Sequence, residues 1–256
     1  MSLQIIIYGQ AGVGKTTFAK YARDPFFIDL ENGTVGVPKD KKKSFPIIGF
    51  NEASKNSVTE LHKFLDEKLD PKGEVEFKTL VIDSLTRIDE YMEKAVIEQQ
   101  KALGNKEIQT LADFAYGAGY ALVKEKVMNI VNKCIALSIQ KDVDLVLIAH
   151  SKDKQVKRRG QEPYDMVQPR ISKGAMSSII ELVPYCFYLG KDVVKDKKGI
   201  STNLYTVGDT FCEQVKSRVP LYAEIYNMTG KGEKVIEEKT KTFWNELYGI
   251  WDKVAI

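Results

Sequence analysis

The sequence contains few cysteines and has no long apolar run. Its 256 residues include three scattered cysteines, Cys134, Cys186 and Cys212, and no C-x-x-C pair. An odd, unpaired count favours a reducing compartment, and the absence of pairs argues against a zinc site. No stretch reaches the roughly 18 apolar residues that a membrane helix needs, and the start, MSLQIIIYGQ, lacks a basic leader. We therefore expect a cytoplasmic protein that does not contact a membrane.

A strong net charge is also missing, since the formal charge at pH 7 is only +3. Any contact with nucleic acid must therefore come from a local patch. Residues 151–173 supply one, because they hold seven Lys or Arg against three Asp or Glu. We predict a basic loop there, of the kind that binds single-stranded DNA through cations and an aromatic ring. Its candidate contacts are Lys152, Lys154, Lys157, Arg158, Arg159 and Tyr164. The alternatives are a solvated loop and a lid that closes on phosphates.

Short β-branched runs alternate with helical segments along the chain. This alternation predicts an α/β fold with a mainly parallel central sheet flanked by helices. No repeat or linker divides the sequence, so we expect a single domain over residues 1–256. The predicted strands are residues 3–8, 25–30, 45–50, 77–83, 144–150, 185–190 and 203–211. The predicted helices are residues 15–22, 58–69, a long region over 85–140 with a break near Gly104, and a short one before residue 184.

The last segment has the spacing of an amphipathic helix over about residues 237–254. One helical face carries large apolar side chains, which are Phe243, Trp244, Leu247, Tyr248, Trp251 and Val254. Such a stripe either packs on the body of its own domain or forms a contact with a partner or second subunit. The sequence leaves both alternatives open.

The clearest motif is GQAGVGKTT, which follows the first apolar run and opens a predicted helix. Gly9, Gly14, Lys15 and Thr16 fit G-x-x-x-x-G-K-[ST], the phosphate-binding P-loop. In such a loop the backbone amides cradle phosphates, the lysine reaches the β- and γ-phosphates, and the hydroxyl binds Mg²⁺. We therefore predict ATP and Mg²⁺ as cofactors. The nucleotide-binding residues would be Gly9, Gln10, Ala11, Gly12, Val13, Gly14, Lys15, Thr16 and Thr17.

A P-loop site needs a further carboxylate to hold the metal ion. The run TLVIDS places Asp83 directly after a predicted buried strand. We expect Asp83 and Thr16 to hold Mg²⁺ together. The alternative role for Asp83 is to cap the helix that follows.

Several stretches resemble the RecA-like ATPases. Glu31 in FFIDLENG stands where these proteins carry the glutamate that orients the attacking water, and LVIDS resembles their metal-binding strand. LVLIAH resembles the strand whose last polar residue senses the γ-phosphate, which is usually glutamine in bacterial recombinases and is His150 here. EQVKSRVPL resembles a basic pair that reaches into a neighbouring subunit's nucleotide site and nominates Lys216 and Arg218. Without that resemblance, Glu31 could be a surface residue, His150 an edge residue and the basic pair a solvated one.

The combination is most similar to phage-encoded RecA-like nucleotide-binding proteins, some of which anneal single strands in recombination. The resemblance spans about residues 1–227 and implies an ATPase that acts on single-stranded DNA in the host cytoplasm, with Lys15, Glu31 and His150 as its catalytic residues. It also implies a homo-oligomer or a phage single-strand binding protein as partner. Recombinases proper carry an added N-terminal region for polymerisation, whereas the first strand here begins near Leu3, so we do not expect filaments by that route. A nucleotide-switched annealing or loading module and a small-molecule phosphotransferase remain alternatives.

Overall fold

The structure is a computed structural model that describes residues 2–157, 160, 162–194, 199–206, 215–219, 221, 223–229 and 233–254. The strands in these residues are β1 (Gln4–Gly9), β2 (Pro25–Asp29), β3 (Lys42–Ser44), β4 (Thr79–Asp83), β5 (Asp144–Val156), β6 (Tyr164–Pro169), β7 (Tyr185–Val194), β8 (Gly199–Tyr205), β9 (Lys216–Ser217) and β10 (Ile225–Asn227). The α-helices are α1 (Lys15–Ala19), α2 (Glu52–Leu69), α3 (Leu85–Ala102), α4 (Ala118–Lys141), α5 (Lys173–Leu182) and α6 (Glu233–Val254). No helix in this described part is both long and apolar enough to cross a membrane.

The centre of the fold is a parallel sheet in the order β7-β1-β5-β4-β2-β3. Strands β8 and β9 pair antiparallel with the outer edge of β7, and β10 pairs antiparallel with β8. Strand β6 pairs only with the far end of β5. The predicted α/β class with a mainly parallel central sheet is therefore confirmed.

Helices cover both faces of this sheet, which is why its central strands are apolar on both sides. Every residue of β1 and of β4 is buried. Side chains alternate along each strand, so Ile6 and Leu147 pack with α2 to α5 on one face. Ile7 and Ile148 pack with α1 and α6 on the other face. The two layers hold the sheet between them and leave its carboxyl edge for the site.

The C-terminal helix is confirmed, and it starts at Glu233 instead of near residue 237. Its stripe packs on the body of the protein: the ring of Trp244 lies 5.3 Å from that of Phe18, and that of Phe243 lies 5.7 Å from Phe187. Val254 is the exception in the stripe, since it is exposed. The described surface of α6 therefore favours packing over a partner contact as the reason for these aromatic residues.

Residues 45–50 were expected to form a strand and do not. Strand β3 ends at Ser44, although Phe45 and Ile47 are buried and their amides donate to the carbonyls of Asp29 and Leu30 at 2.9 Å. These donors are two residues apart but their acceptors are adjacent, and the amide of Glu31 donates to the side chain of Asp29, so the parallel ladder is broken here. Gly49 then turns the chain with a positive φ of 77°. Apolar burial alone was mistaken for a strand.

Residues 151–173 are not a continuous loop, as the sequence suggested. Strand β5 continues past His150 to Val156 and forms a hairpin with β6, and α5 begins at Lys173. The polar run looks like a loop in isolation, and its extended conformation depends on pairing with a segment some ten residues further on. Strand β8 also begins earlier than expected, at Gly199, and residues 207–211 of the predicted strand lie outside the described residues.

Candidate functional site

The strand register brings the predicted site residues to one edge of the sheet. Gly9 at the end of β1 is level with His150 on β5. Asp83 at the end of β4 is level with Ile148 on β5 and with Asp29 at the end of β2. Because parallel strands end at the same edge, the P-loop and the polar residues that follow β2, β4 and β5 meet there.

The backbone geometry of the P-loop requires glycine at two of its positions. Gly14 caps α1 with φ of 105°, a conformation that favours glycine. A Cβ on Gly9 would lie 2.1 Å from the carbonyl oxygen of Leu189, so no larger residue fits. The loop therefore turns sharply from β1 into α1, as a phosphate cradle requires.

Lys15 lies beneath this loop and is only 6% exposed. Its Nζ donates to the carbonyl oxygens of Gly9 and Gln10 at 2.9 and 2.8 Å. Burial lowers the pKa of Lys15 to about 8, although the charges of Asp83 and Glu31 oppose that shift. The ammonium group is thus held close to the backbone that would surround a triphosphate, with little water to compete for it.

Thr16 and Asp83 form the pair that the sequence nominated for Mg²⁺. The Thr16 hydroxyl donates to Oδ2 of Asp83 at 2.6 Å, so a hydroxyl and a carboxylate oxygen are adjacent. Burial raises the pKa of Asp83 to about 6, and the charge of Glu31 adds to the effect of burial. A buried carboxylate with this tendency to stay neutral gains from a nearby dication, and both oxygens are of the hard type that Mg²⁺ prefers. These residues therefore fit a magnesium ion.

Glu31 and His150 are in direct contact. Nε2 of His150 lies 2.9 and 3.1 Å from the two carboxylate oxygens of Glu31, and the Ser84 hydroxyl donates to Oε1 at 2.5 Å. Burial opposes ionisation of Glu31, but the hydrogen bonds from His150 and Ser84 outweigh it and lower its pKa to about 2. Glu31 is therefore an ionised carboxylate beside the P-loop, and the ring of His150 donates to it from Nε2.

Sequence reasoning missed the residues that hold this cluster in place. Asp29 accepts bonds at 3.1 Å from the amides of Glu31, Gly33 and Thr34, so it fixes the turn that carries Glu31. The sequence carried a signal for this role of Asp29. An aspartate shortly before an Asn-Gly pair is typical of a turn in which the carboxylate accepts hydrogen bonds from the amides that follow it.

Two arginines were missed for a different reason. Arg87 Nε lies 3.6 Å from Glu31, while Glu90 pairs with Arg87 at 3.0 Å and with Arg170 at 2.8 Å. Arg170 is close enough to Lys15 that its charge lowers the pKa of that lysine, and its amide donates to the carbonyl of His150 at 2.7 Å. This chain of ion pairs joins α3 to the end of β6; Arg87 and Glu90 have the local i,i+3 spacing of a helix, but no local pattern marks their link to Arg170.

The basic residues nominated for DNA are distributed over the β5–β6 hairpin. Lys154 and Lys157 are exposed, and Lys152 is half-buried, with its Nζ 3.4 Å from the carbonyl oxygen of Ile171. Lys154 is opposite Met166 and Val156 is opposite Tyr164, so Lys152, Lys154 and Tyr164 share one face of the hairpin. Arg158 and Arg159 lie outside the described residues.

Lys216 and Arg218 lie at the carboxyl end of α5. Nζ of Lys216 donates to the carbonyls of Ile180 and Val183, and Arg218 Nη2 donates to the carbonyl of Glu181 at 3.0 Å. In this chain both cations therefore satisfy carbonyls at the end of a helix, a favourable place for positive charge.

The fold and the site together have the architecture of a P-loop NTPase. The sequence model of a family described as an AAA domain matches residues 1–219, and the chain belongs to that family. Among solved structures, a KaiC-like protein from the hyperthermophilic archaeon Pyrococcus horikoshii OT3 is similar with a TM-score of 0.39 and 14% identity. That alignment covers 79% of this chain and 77% of the archaeal one. No curated protein matches the sequence.

Proposed function

We propose that the protein is a Mg²⁺-dependent ATPase. The observation that carries this proposal is the contact of Glu31 with His150 beside the P-loop lysine and the Thr16–Asp83 pair. Glu31 is ionised and can orient or deprotonate a water that attacks the γ-phosphate. Lys15 and a Mg²⁺ held by Thr16 and Asp83 would stabilise the charge that develops on the phosphates.

The same protein, we propose, acts on single-stranded DNA. Support comes from the hairpin that begins at His150, since Lys152, Lys154 and Tyr164 share one of its faces. A groove at the base of the hairpin brings Lys152 and Arg170 next to Tyr120, which is half exposed, and three carboxylates of α3 also line this groove. Cations and exposed aromatic rings are the groups that bind phosphates and stack on bases without reading sequence.

The biological setting follows from the resemblance to phage-encoded RecA-like proteins. In that setting the ATPase works in recombination or replication in the cytoplasm of the host. Its partners would be a second copy of the chain, through Lys216 and Arg218, or a single-strand binding protein of the phage.

Two proposals, ATP hydrolysis and action on single-stranded DNA, are tested by measuring ATP turnover with no DNA, with single-stranded DNA and with duplex DNA. We expect single-stranded DNA to raise turnover the most, and an absence of any DNA effect would remove the DNA part alone. Glu31→Gln should bind ATP and lose about 10²- to 10⁴-fold in turnover, which is the usual contribution of a general base. Glu107→Gln, at an exposed glutamate, is the control and should turn over ATP like wild type.

A second candidate is a nucleotide-switched annealing or loading module with little turnover. One observation favours it, because both carboxylate oxygens of Glu31 are engaged by His150 and one also by Ser84. Glu31→Gln separates the two candidates: annealing activity that survives in this variant favours the switch, and annealing that is lost with turnover favours the ATPase.

A further inference from the structure

A cavity of about 330 Å³ lies beside the P-loop, and its lining does not include Glu31, Asp83 or His150. Its walls come from the P-loop and α1, from β7 and β8, from Met228 and Thr229 after β10, and from α6. The residues that carry the inference are Thr17, Ile200, Thr202, Thr229, Ile236 and Thr240. A cavity of this size is at the lower end of the range for small-molecule sites.

The cavity lies on the side of the P-loop opposite to the expected position of the γ-phosphate. Strand β1 ends in the P-loop, with β5 and β4 on one side and β7 and β8 on the other. Glu31, His150 and Asp83 lie on the β5–β4 side, where the γ-phosphate would be. The cavity lies on the β7–β8 side and is lined by Gly14 and Thr17. A triphosphate that spans the loop would therefore present its nucleoside to the cavity.

Helix α6 forms one wall of this cavity and is firmly attached to α1. The indole nitrogen of Trp244 donates to the carbonyl oxygen of Phe18 at 2.9 Å, and the Phe18 ring lies 5.3 Å from those of Phe243 and Trp244. The matched AAA domain ends at residue 219. Thr229, Ile236 and Thr240 therefore belong to a part of the chain outside that domain.

The chemistry of the cavity is apolar with hydroxyl groups. None of its described lining residues carries a charge. The Thr240 hydroxyl donates to the carbonyl of Ile236 at 2.8 Å, and that of Thr229 accepts from the amide of Thr202 at 2.7 Å. Ile200 and Ile236 lie at the cavity with 66% and 36% of their surface exposed. A bound base would cover this apolar surface.

We propose that this cavity is the nucleoside subsite, that α6 supplies its outer wall, and that it accepts adenine and guanine with similar affinity. The Thr229 and Thr240 hydroxyls already donate to the carbonyls of Thr202 and Ile236, so toward a base they can only accept, and the amino group of adenine or of guanine can donate to them. Apolar walls also distinguish bases only weakly. The proposal rests on the proposed nucleotide-binding function and names the part of the ligand that the cavity holds.

Binding of ATP, GTP and inorganic tripolyphosphate, each with Mg²⁺, tests the proposal by calorimetry. Ile236→Trp places a large ring at the cavity from α6, and Ile200→Trp places one from β8. Val235→Trp is the matched control, because Val235 is the neighbouring residue on α6 and is similarly exposed at 38%, yet does not line the cavity. Thermal unfolding of each variant confirms that it is folded.

We expect wild type to bind ATP and GTP within about ten-fold of each other, and the two cavity variants to bind both about ten-fold or more weakly. Tripolyphosphate should bind all variants alike, and Val235→Trp should behave as wild type. Unchanged ATP affinity in both cavity variants overturns the subsite, as does an equal loss of tripolyphosphate affinity. A preference for one purine above about 100-fold overturns the specificity. If tripolyphosphate does not bind wild type and Lys15→Ala leaves the affinity for ATP unchanged, the proposed nucleotide-binding function itself fails.

Discussion

His150→Ala should uncouple DNA binding from ATP turnover. Nε2 of His150 donates to a carboxylate that is ionised, at 2.9 and 3.1 Å, and both side chains are less than one-fifth exposed. A hydrogen bond to a charged group contributes about 1.5–3 kcal/mol. This energy corresponds to about a ten- to hundred-fold change in the ratio of held to released positions of the Glu31 side chain. The hydrogen bond from Ser84 and the more distant Arg87 keep Glu31 in the site, and the ion pairs from Arg87 through Glu90 to Arg170 remain as a weaker route to the hairpin.

The connection matters because the hairpin is a continuation of the strand that carries His150. DNA bound at Lys152 and Lys154 would shift β5 beyond residue 150, and the ring of His150 would pass that change to Glu31. By linkage, a nucleotide bound at the P-loop should alter DNA affinity by the same factor by which bound DNA alters nucleotide affinity. In the alanine variant we expect DNA stimulation of turnover to fall by about ten- to hundred-fold. ATP affinity should stay within about three-fold of wild type, since the side chain lies outside the phosphate loop.

The assay is steady-state ATP turnover against the concentration of single-stranded DNA, with ATP affinity measured separately. His62→Ala is the control, because His62 is the chain's other histidine and lies on α2. His150→Gln should restore much of the coupling, since its amide can donate to Glu31. Full DNA stimulation in His150→Ala would refute the reasoning, and so would an equal loss in His62→Ala.

Three other variants test separate parts of the site. Asp83→Asn should keep ATP binding in the absence of metal but lose about 100-fold or more of the Mg²⁺-dependent turnover, measured against Mg²⁺ concentration; unchanged metal dependence would contradict its role. Trp244→Phe should lower the free energy of unfolding by about 1–2 kcal/mol in urea titrations, because a buried hydrogen bond to Phe18 is lost and a small cavity opens, while Lys253→Ala on the same helix should have no effect. Lys154→Ala should reduce the salt dependence of single-stranded DNA binding by about 0.7 in the log–log slope, and an unchanged slope would remove Lys154 from the interface.

Local patterns were sufficient for the phosphate loop and for the central strands. The spacing of Gly9, Gly14, Lys15 and Thr16 is short-range information, and only a strand-turn-helix connection accommodates it. Runs such as LVID and LVLIA are apolar because helices cover both faces of the sheet, so they are visible without knowing the partners. The aromatic spacing of α6 likewise predicted its packed face, apart from Val254.

Segments whose conformation depends on a distant part of the chain carry too little local signal for the sequence to predict them. Strand β5 beyond His150 is extended because β6 pairs with it, and its own residues carry little strand preference. Phe45 and Ile47 are buried as a strand would be, yet the Glu31 amide that would continue the ladder donates to the Asp29 side chain. In both places the deciding hydrogen bonds involve residues from another part of the chain.

The sequence by itself determined that the protein has a phosphate loop on an α/β sheet, because a loop of fixed glycines and alternating apolar runs are written in consecutive residues. The nominated roles of Glu31, Asp83 and His150 came from the resemblance to RecA-like proteins. Only the tertiary structure decided that Glu31 and His150 touch across 119 positions of sequence, that Glu90 joins two arginines beside them, and that α6 walls a cavity at the loop. Those contacts depend on strand order and register, which arise from the packing of the whole sheet and leave no mark on any single segment.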